Sequence, residues 1–338
     1  MNLNEFQPNL AMFIRPLHVV PSGWTGHVPF GSWLMAVSAP RIFVELGSHF
    51  GMSYAAFCQT VQQEGINTKC YAIDTWQGDE HAGFYGDDVY NDLAAFNERH
   101  FSGFSRLMRM TFDEATTYFA DGSIDLLHID GLHTYEAVKH DFETWLPKLS
   151  DRAIVLFHDT NVRERGFGVW QYWAELSKSY PHFEFDHSAG LGVLAVGKDI
   201  PPEVQELMNL QNQAGPSKTV KDVFSTLGES VLRRSELEST RRELESKSSD
   251  VERVLAQLKN VSGELEELQN EHRRAARLLD DTDQRIRQGH AHAVRLEQEN
   301  RTLRDALARS DETRRQLVDS RSYRVTKPLR AVRSMFRR

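Results

Sequence analysis

Phe43-Val44-Glu45-Leu46-Gly47-Ser48-His49-Phe50-Gly51-Met52-Ser53 decides the fold. An apolar run closes on an acid, two glycines bracket a short turn, and an amphipathic segment from Met52 to Gln63 follows. Glycine lets the chain turn tightly and lets a ligand approach the main chain. The helix that follows opens with N–H groups that have no partner within it. The spacing is Glu-x-Gly-x-x-x-Gly-x-Ser, which departs from the dinucleotide fingerprint Gly-x-Gly-x-x-Gly. A plain strand-to-helix turn is the simpler alternative.

Outward from this turn the pattern repeats. Strands are predicted at Ile42–Leu46, Cys70–Asp74, Arg106–Met110, Ile124–Asp130 and Ala153–His158, with helices at 52–64, 87–100, 112–120, 134–147 and near 166–179. Strands alternating with helices imply a parallel sheet. His182–Asp186 and Gly190–Val196 are joined only by His187-Ser188-Ala189, a connection too short for anything but an antiparallel pair. The expected fold is α/β: a Rossmann-like seven-stranded sheet with a terminal antiparallel hairpin.

Residues 1–40 carry Trp24, His27, Phe30 and Trp33 and are expected to form a cap or short helices over the pocket, with packing the better reading of each aromatic by itself. The sheet domain spans 41–200, and a linker containing Ala214-Gly215-Pro216-Ser217 occupies 201–230. Over 231–320 the composition turns to Glu, Arg, Leu, Gln and Ser. Leu237, Leu244, Val251, Leu258 and Leu265 share one heptad position, with Val254, Val261 and Leu268 three residues later. This predicts a long α-helical coiled coil and hence a homo-oligomer. Lys247, His272, Gly289 and Arg314 weaken its core, and Asn300 favours a parallel dimer.

The chain has 338 residues and a formal net charge of −8, yet residues 321–338 hold seven cations and no acid. An acidic body argues against nucleic-acid binding by the main domain. The basic tail suits an anionic membrane surface or a protein partner. Val325, Leu329, Val332 and Phe336 recur there at helical spacing. Cys58 and Cys70 lack metal or redox spacing and fit a reducing cytoplasm. Neither a signal peptide nor an apolar run of ~18 residues is expected, which points to a cytoplasmic protein, peripheral at most to the inner face of the membrane.

Asp74 closes the second strand, where an acid can accept hydrogen bonds from both ribose hydroxyls of a nucleoside. Thr75, Trp76, Asp79, Glu80 and His81 follow in a long polar loop at the carboxyl edge of the sheet, where ligands bind in open α/β folds, and Asp79, Glu80 and His81 are candidate acceptor contacts. Solvation of that loop is the alternative. Thr111 follows the third strand and is placed beside a bound adenine. The fourth and fifth strands end in Asp130, His133, His158 and Asp159. Two carboxylates with imidazoles make a plausible divalent-cation site. Helix capping is the ordinary alternative for Asp130 and Asp159.

The opening motif resembles motif I of class I S-adenosylmethionine (SAM) methyltransferases. Taken with Asp74-Thr75-Trp76-Gln77-Gly78-Asp79, Ile129-Asp130-Gly131-Leu132-His133-Thr134-Tyr135-Glu136 and Phe157-His158-Asp159, it resembles the sugar O-methyltransferase and cephalosporin-hydroxylase-like family over roughly residues 20–198. The resemblance implies SAM as cofactor. Glu45 would face the methionine ammonium, the turn of Gly47, Ser48, Gly51 and Ser53 would lie under the ligand, and Trp76 would pack against it. Asp130 would serve both cofactor and metal, Asp159 and His158 would complete a site for magnesium or another divalent cation, and His133 would be the general base. A sugar or glycan would be the acceptor. The ending Ser320 to Arg330 is similar to one found after coiled coils in polysaccharide enzymes, which implies a glycosyltransferase partner. The rival reading is a coiled-coil scaffold with a vestigial methyltransferase domain.

Overall fold

The computed structural model describes residues 8–326 and 328–330. The chain forms two compact units, Met1–Leu244 and Glu245–Arg338.

In the first unit two short 3-10 turns, Leu10–Phe13 and Thr25–His27, precede α1 (Val28–Ser38), followed by β1 (Ile42–Leu46), α2 (Met52–Glu64) and β2 (Lys69–Asp74). A two-stranded ribbon, β3 (Gly78–Asp79) and β4 (Gly83–Phe84), precedes α3 (Asp87–Phe101), β5 (Ser105–Arg109) and α4 (Phe112–Ala115). Then come β6 (Ile124–Ile129), α5 (Tyr135–Trp145), β7 (Leu149–His158), α6 (Val169–Leu176), β8 (His182–Phe185), β9 (Leu191–Ala195), α7 (Pro202–Leu210) and α8 (Ala214–Asp319). The main sheet has the order β5-β2-β1-β6-β7-β9-β8. Its strands run parallel from β5 to β7, while β9 is antiparallel to both β7 and β8. This is the seven-stranded sheet with a terminal hairpin that the sequence predicts.

Apolar cores fill both faces, as a sheet covered on each side by helices requires. Phe43 and Leu126 face one core with Trp33, Phe57 and Phe224; Val44 and Leu127 face the other with Phe142, Trp145 and Trp173. Strand periodicity of two assigns each residue its side.

Ahead of β1, Trp24, Phe30 and Trp33 are buried in a core layer, as packing of these aromatics predicts, and among the described residues of this segment Pro21, Ser22 and Gly23 line the cleft. The structure corrects one boundary: the segment Ala214-Gly215-Pro216-Ser217 is the first turn of α8 and not a linker. Proline is tolerated there because the first N–H groups of a helix have no intrahelical partner. Val220 and Phe224, farther along, are buried in the first unit's core.

In the second unit α8 continues with its heptad side chains exposed, Leu258 at 59% and Leu303 at 64%. A short α9 (Arg321–Val325) follows. The tail positions Lys327, Val332, Arg333, Phe336, Arg337 and Arg338 lie outside the described residues. Among the described residues, no helix is long and apolar enough to cross a membrane.

Candidate functional site

A cleft of about 450 Å³ opens at the carboxyl edge of the parallel strands. The turn between β1 and α2 forms its floor. Gly47 has φ 85°, and a Cβ there would meet the Asp130 carbonyl oxygen at 2.2 Å. Gly51 has φ 80°, and a Cβ would strike Leu93 at 2.3 Å. Both positions therefore demand glycine. Ser48, Gly51 and Ser53 line the cleft beside Asp74, Thr75 and Thr111.

Asp74 fastens this turn. Its Oδ2 accepts the N–H groups of Ser48 (2.9 Å) and His49 (3.0 Å), and its Oδ1 accepts that of Trp76 (2.7 Å). The carboxylate lines the cleft while most of its accepting capacity organises the backbone. Thr111 caps α4 in a reciprocal pair with Glu114.

Two expected cofactor contacts lie elsewhere. Glu45 is fully buried and does not line the cleft; its Oε2 pairs with His128 Nδ1 at 2.9 Å. Glu45 and His128 stand opposite each other in the β1–β6 register, so pleat alternation turns both onto the sheet face that packs against α2 and away from its edge. Their matching parity on adjacent strands was the sequence signal for this pair. Trp76 is also fully buried, with φ 50°, and its Nε1 donates to the His49 carbonyl oxygen at 3.0 Å. It packs edge-on against Tyr90 and so supports the turn from behind.

The carboxyl ends of β6 and β7 bring Asp130, His133, His158 and Asp159 together in the cleft. His133 Nε2 lies 2.9 Å from Asp159 Oδ2 and 3.4 Å from Asp130 Oδ1. His158 Nδ1 lies 3.1 Å from Asp130 Oδ1 and 3.3 Å from Asp159 Oδ1, while its Nε2 donates to the Ser188 carbonyl oxygen at 3.2 Å. Burial disfavours the charged form of both imidazoles, but the two acids outweigh it and raise His133 to about 10 and His158 to about 8. Burial likewise opposes ionisation of Asp130, and the two histidines hold it well below the usual carboxylate range.

Neither acid caps a helix. Thr134 caps α5, its hydroxyl accepting from the Ala137 N–H, and α6 begins at Gly168 without a side-chain cap. Asp159 has φ 62°, in the left-handed region. Asp130, His133 and Asp159 each present a ligand atom within 4.8 Å of the others, a donor set of two hard oxygens and one imidazole that fits a divalent cation. His133 takes the place in this cluster that the sequence assigned to His158, whose ring is anchored between the acids and Ser188.

In the opposite wall, Asp79 and His81 were named from the sequence, while Phe167 and Arg165 were not. The ring of Phe167 stacks on His133 (centroids 4.5 Å apart, 14°) and on His81 (4.5 Å, 21°). Asp79 Oδ1 accepts the N–H groups of His81 and Ala82, both at 2.7 Å, and Arg165 donates to the His81 carbonyl oxygen at 2.7 Å. The β3–β4 loop and the β7–α6 loop thus meet beside His133.

The chain is similar to several known proteins. The uncharacterized protein y4gI of Sinorhizobium fredii aligns over 212 residues at 50% identity, covering 63% of this chain and 23% of that protein. The chain thus spans about a quarter of the length of that curated relative. Among solved structures, the O-methyltransferase TomG of Streptomyces achromogenes, in complex with SAM, superposes with a TM-score of 0.39 at 12% identity, over 58% of this chain and 99% of its own. An O-methyltransferase of Bacillus cereus in complex with S-adenosylhomocysteine gives 0.38 at 11%, over 53% and 84%. Residues 44–160, from the strand before the glycine turn to the residue after Asp159, match the family model described as a methyltransferase domain.

Proposed function

We propose that this protein is a SAM-dependent O-methyltransferase that acts on a sugar hydroxyl, in the assembly of a cell-surface polysaccharide. The observation that carries the reading is the meeting, in one cleft, of the Gly47–Ser53 turn fastened by Asp74 with the Asp130–His133–Asp159 cluster. The first half suits a nucleoside with a charged tail. The N-terminus of α2 offers N–H groups, and Asp74 keeps accepting capacity for a ribose hydroxyl. The second half suits activation of a hydroxyl, which is a poor nucleophile until its proton is removed.

Asp130, His133 and Asp159 would hold a divalent cation, which when bound lowers the pKa of a hydroxyl and orients it. The residues themselves position the acceptor. His133 stands at the junction of the acid pair and the Phe167 wall, where a hydroxyl between cluster and cofactor would lie. The exposed heptads of α8 support self-association as a parallel coiled coil. The basic end of the chain would hold the dimer near a membrane surface or a glycosyltransferase.

Calorimetry with S-adenosylhomocysteine and transfer of labelled methyl from SAM to lipid-linked glycans of the producing organism test this reading. Binding and label in sugar are expected. Failure to bind S-adenosylhomocysteine favours the scaffold reading instead.

A further inference from the structure

We infer that His27, in the turn before α1, is a positioning residue for the Asp130–His133–Asp159 cluster: it pins the Ser188 carbonyl that holds His158 between the two acids. The inference rests on the proposed divalent cation and adds a residue outside the cleft that sets how tightly the cluster holds it.

His158 is tied at both ring nitrogens. Its Nδ1 faces Asp130 and Asp159, and its Nε2 donates to the Ser188 carbonyl oxygen. A ring tied at both ends cannot swing about its Cβ–Cγ bond, so the two acids share one fixed neighbour. Partners placed one step behind a metal's ligands orient those ligands in this way.

The carbonyl that ties His158 belongs to a strained loop. Ser188 has φ 48°, Ala189 70° and Gly190 90°. Left-handed backbone disfavours a residue with a Cβ, so neighbours must hold Ser188 and Ala189 there. The end of β7 does part of this. The Asn161 N–H donates to the Ala189 carbonyl oxygen at 2.9 Å, and the Asp159 N–H donates to that of Gly190 at 3.1 Å. With His158 on Ser188, three successive carbonyls of the loop accept from the end of β7.

The N-terminal segment does the rest. His27 Nε2 donates to the same Ser188 carbonyl oxygen at 3.1 Å. His27 is fully buried and does not line the cleft, so it would not touch a ligand there. Its ring lies edge-on to that of His158, with centroids 5.7 Å apart. The backbone beside it has no slack. A Cβ on Gly26 would meet Ser188 Oγ at 1.9 Å, and a Cβ on Gly228 of α8 would meet the Gly26 carbonyl oxygen at 2.1 Å. His187 Nε2 donates to that same carbonyl oxygen at 3.3 Å. The segment before α1 is thus wedged between α8 and the β8–β9 loop, and His27 and His158 converge on one carbonyl.

The test measures Mn²⁺ binding to the full-length protein by electron paramagnetic resonance, with S-adenosylhomocysteine affinity taken on the same preparations. His27→Phe keeps a ring and removes the N–H. It is expected to weaken Mn²⁺ binding roughly tenfold, the lower end of the range for partners behind a metal's ligands, with S-adenosylhomocysteine affinity unchanged. His27→Gln, whose amide can donate, is expected to recover most of the loss. Gly26→Ala displaces the Ser188 carbonyl with His27 intact and is expected to show the same loss. Adding Ser188→Gly to Gly26→Ala removes the clashing side chain, keeps the carbonyl, and is expected to reverse it. The Gly26 pair decides alone if His27→Phe fails to fold. Equal Mn²⁺ affinity in wild type, His27→Phe and Gly26→Ala would overturn the inference and leave the cation standing. A loss in Gly26→Ala that Ser188→Gly does not reverse would assign the effect to general packing and overturn it as well. Wild-type protein that binds S-adenosylhomocysteine but no Mn²⁺ would overturn the cation reading, and this inference with it.

Discussion

His133 Nε2 lies 2.9 Å from Oδ2 of Asp159. One nitrogen of this imidazole is thereby held to an acid at the end of β7, although the histidine itself follows β6. The pairing fixes the ring plane that Phe167 stacks upon. His133→Ala should lower turnover by roughly 10²–10⁴, the range for removal of an acid–base group, with S-adenosylhomocysteine affinity little changed; the imidazole, raised to about 10 by its two acids, gives up that proton before it acts as a base. Methyl transfer and calorimetry on the same preparation check both halves. Unchanged turnover would remove His133 from the chemistry.

Asp130→Ala and Asp159→Ala should abolish any dependence on a divalent cation, because each takes one hard oxygen from the cluster. Full activity in chelator, with elemental analysis confirming metal-free protein, would refute the cation.

Asp74→Ala should weaken S-adenosylhomocysteine binding at least tenfold and also lower the melting temperature. The carboxylate organises the N–H groups of Ser48, His49 and Trp76, and hydrogen bonds to charged groups are worth about 1.5–3 kcal/mol each. Asp74→Asn keeps one accepting oxygen and should fall between. Unchanged affinity in Asp74→Ala would show that the turn holds itself without the acid.

The elements were legible because alternation and helical spacing are local. α2 is Met52–Glu64, where the sequence placed it, and β1 coincides as well. The glycine turn and the carboxyl-edge cluster of Asp130, His133 and Asp159 were legible from the same logic, since topology alone brings strand ends together. What a single chain could not display is where a side chain turns once packed. Glu45 ends a strand but faces His128 on the sheet face, and Trp76 turns inward at a positive φ. Gly215-Pro216 reads as a break, yet begins a helix because Val220 and Phe224 gain a core to enter. Tertiary burial outweighed local propensity there.

Acid should weaken the first unit through Asp125. Its carboxylate accepts Arg41 N–H, Nε and Nη2 groups and the Ser150 hydroxyl. Burial alone would raise this group, but Arg41 and Ser150 bring it down to about 2. A depressed carboxyl contributes stability that is present above its unfolded value near 4 and lost as pH falls through 2. Arg41 is largely exposed, so the contribution is discounted to about 1–2 kcal/mol. Urea unfolding should show wild type more stable than Asp125→Asn at pH 6, with the gap closing toward pH 2. A gap independent of pH would assign the effect to packing.

A chain ending at Leu244 should fold, bind S-adenosylhomocysteine and be monomeric, whereas one ending at Gln213 should not fold. The first compact unit closes at Leu244, and the start of α8 belongs to its core. Phe224 is fully buried, with ring centroids 5.3 Å from Phe30 and 5.6 Å from Phe185. Phe224→Ala in the full chain should therefore cost about 3–5 kcal/mol. The heptads beyond Leu244 carry exposed apolar side chains. Light scattering and thermal unfolding separate the two roles of this one helix. Loss of the higher oligomer with unchanged melting is expected for the chain ending at Leu244. Retention of the full oligomeric state in that truncation would place self-association in the first unit and not in α8 beyond Leu244.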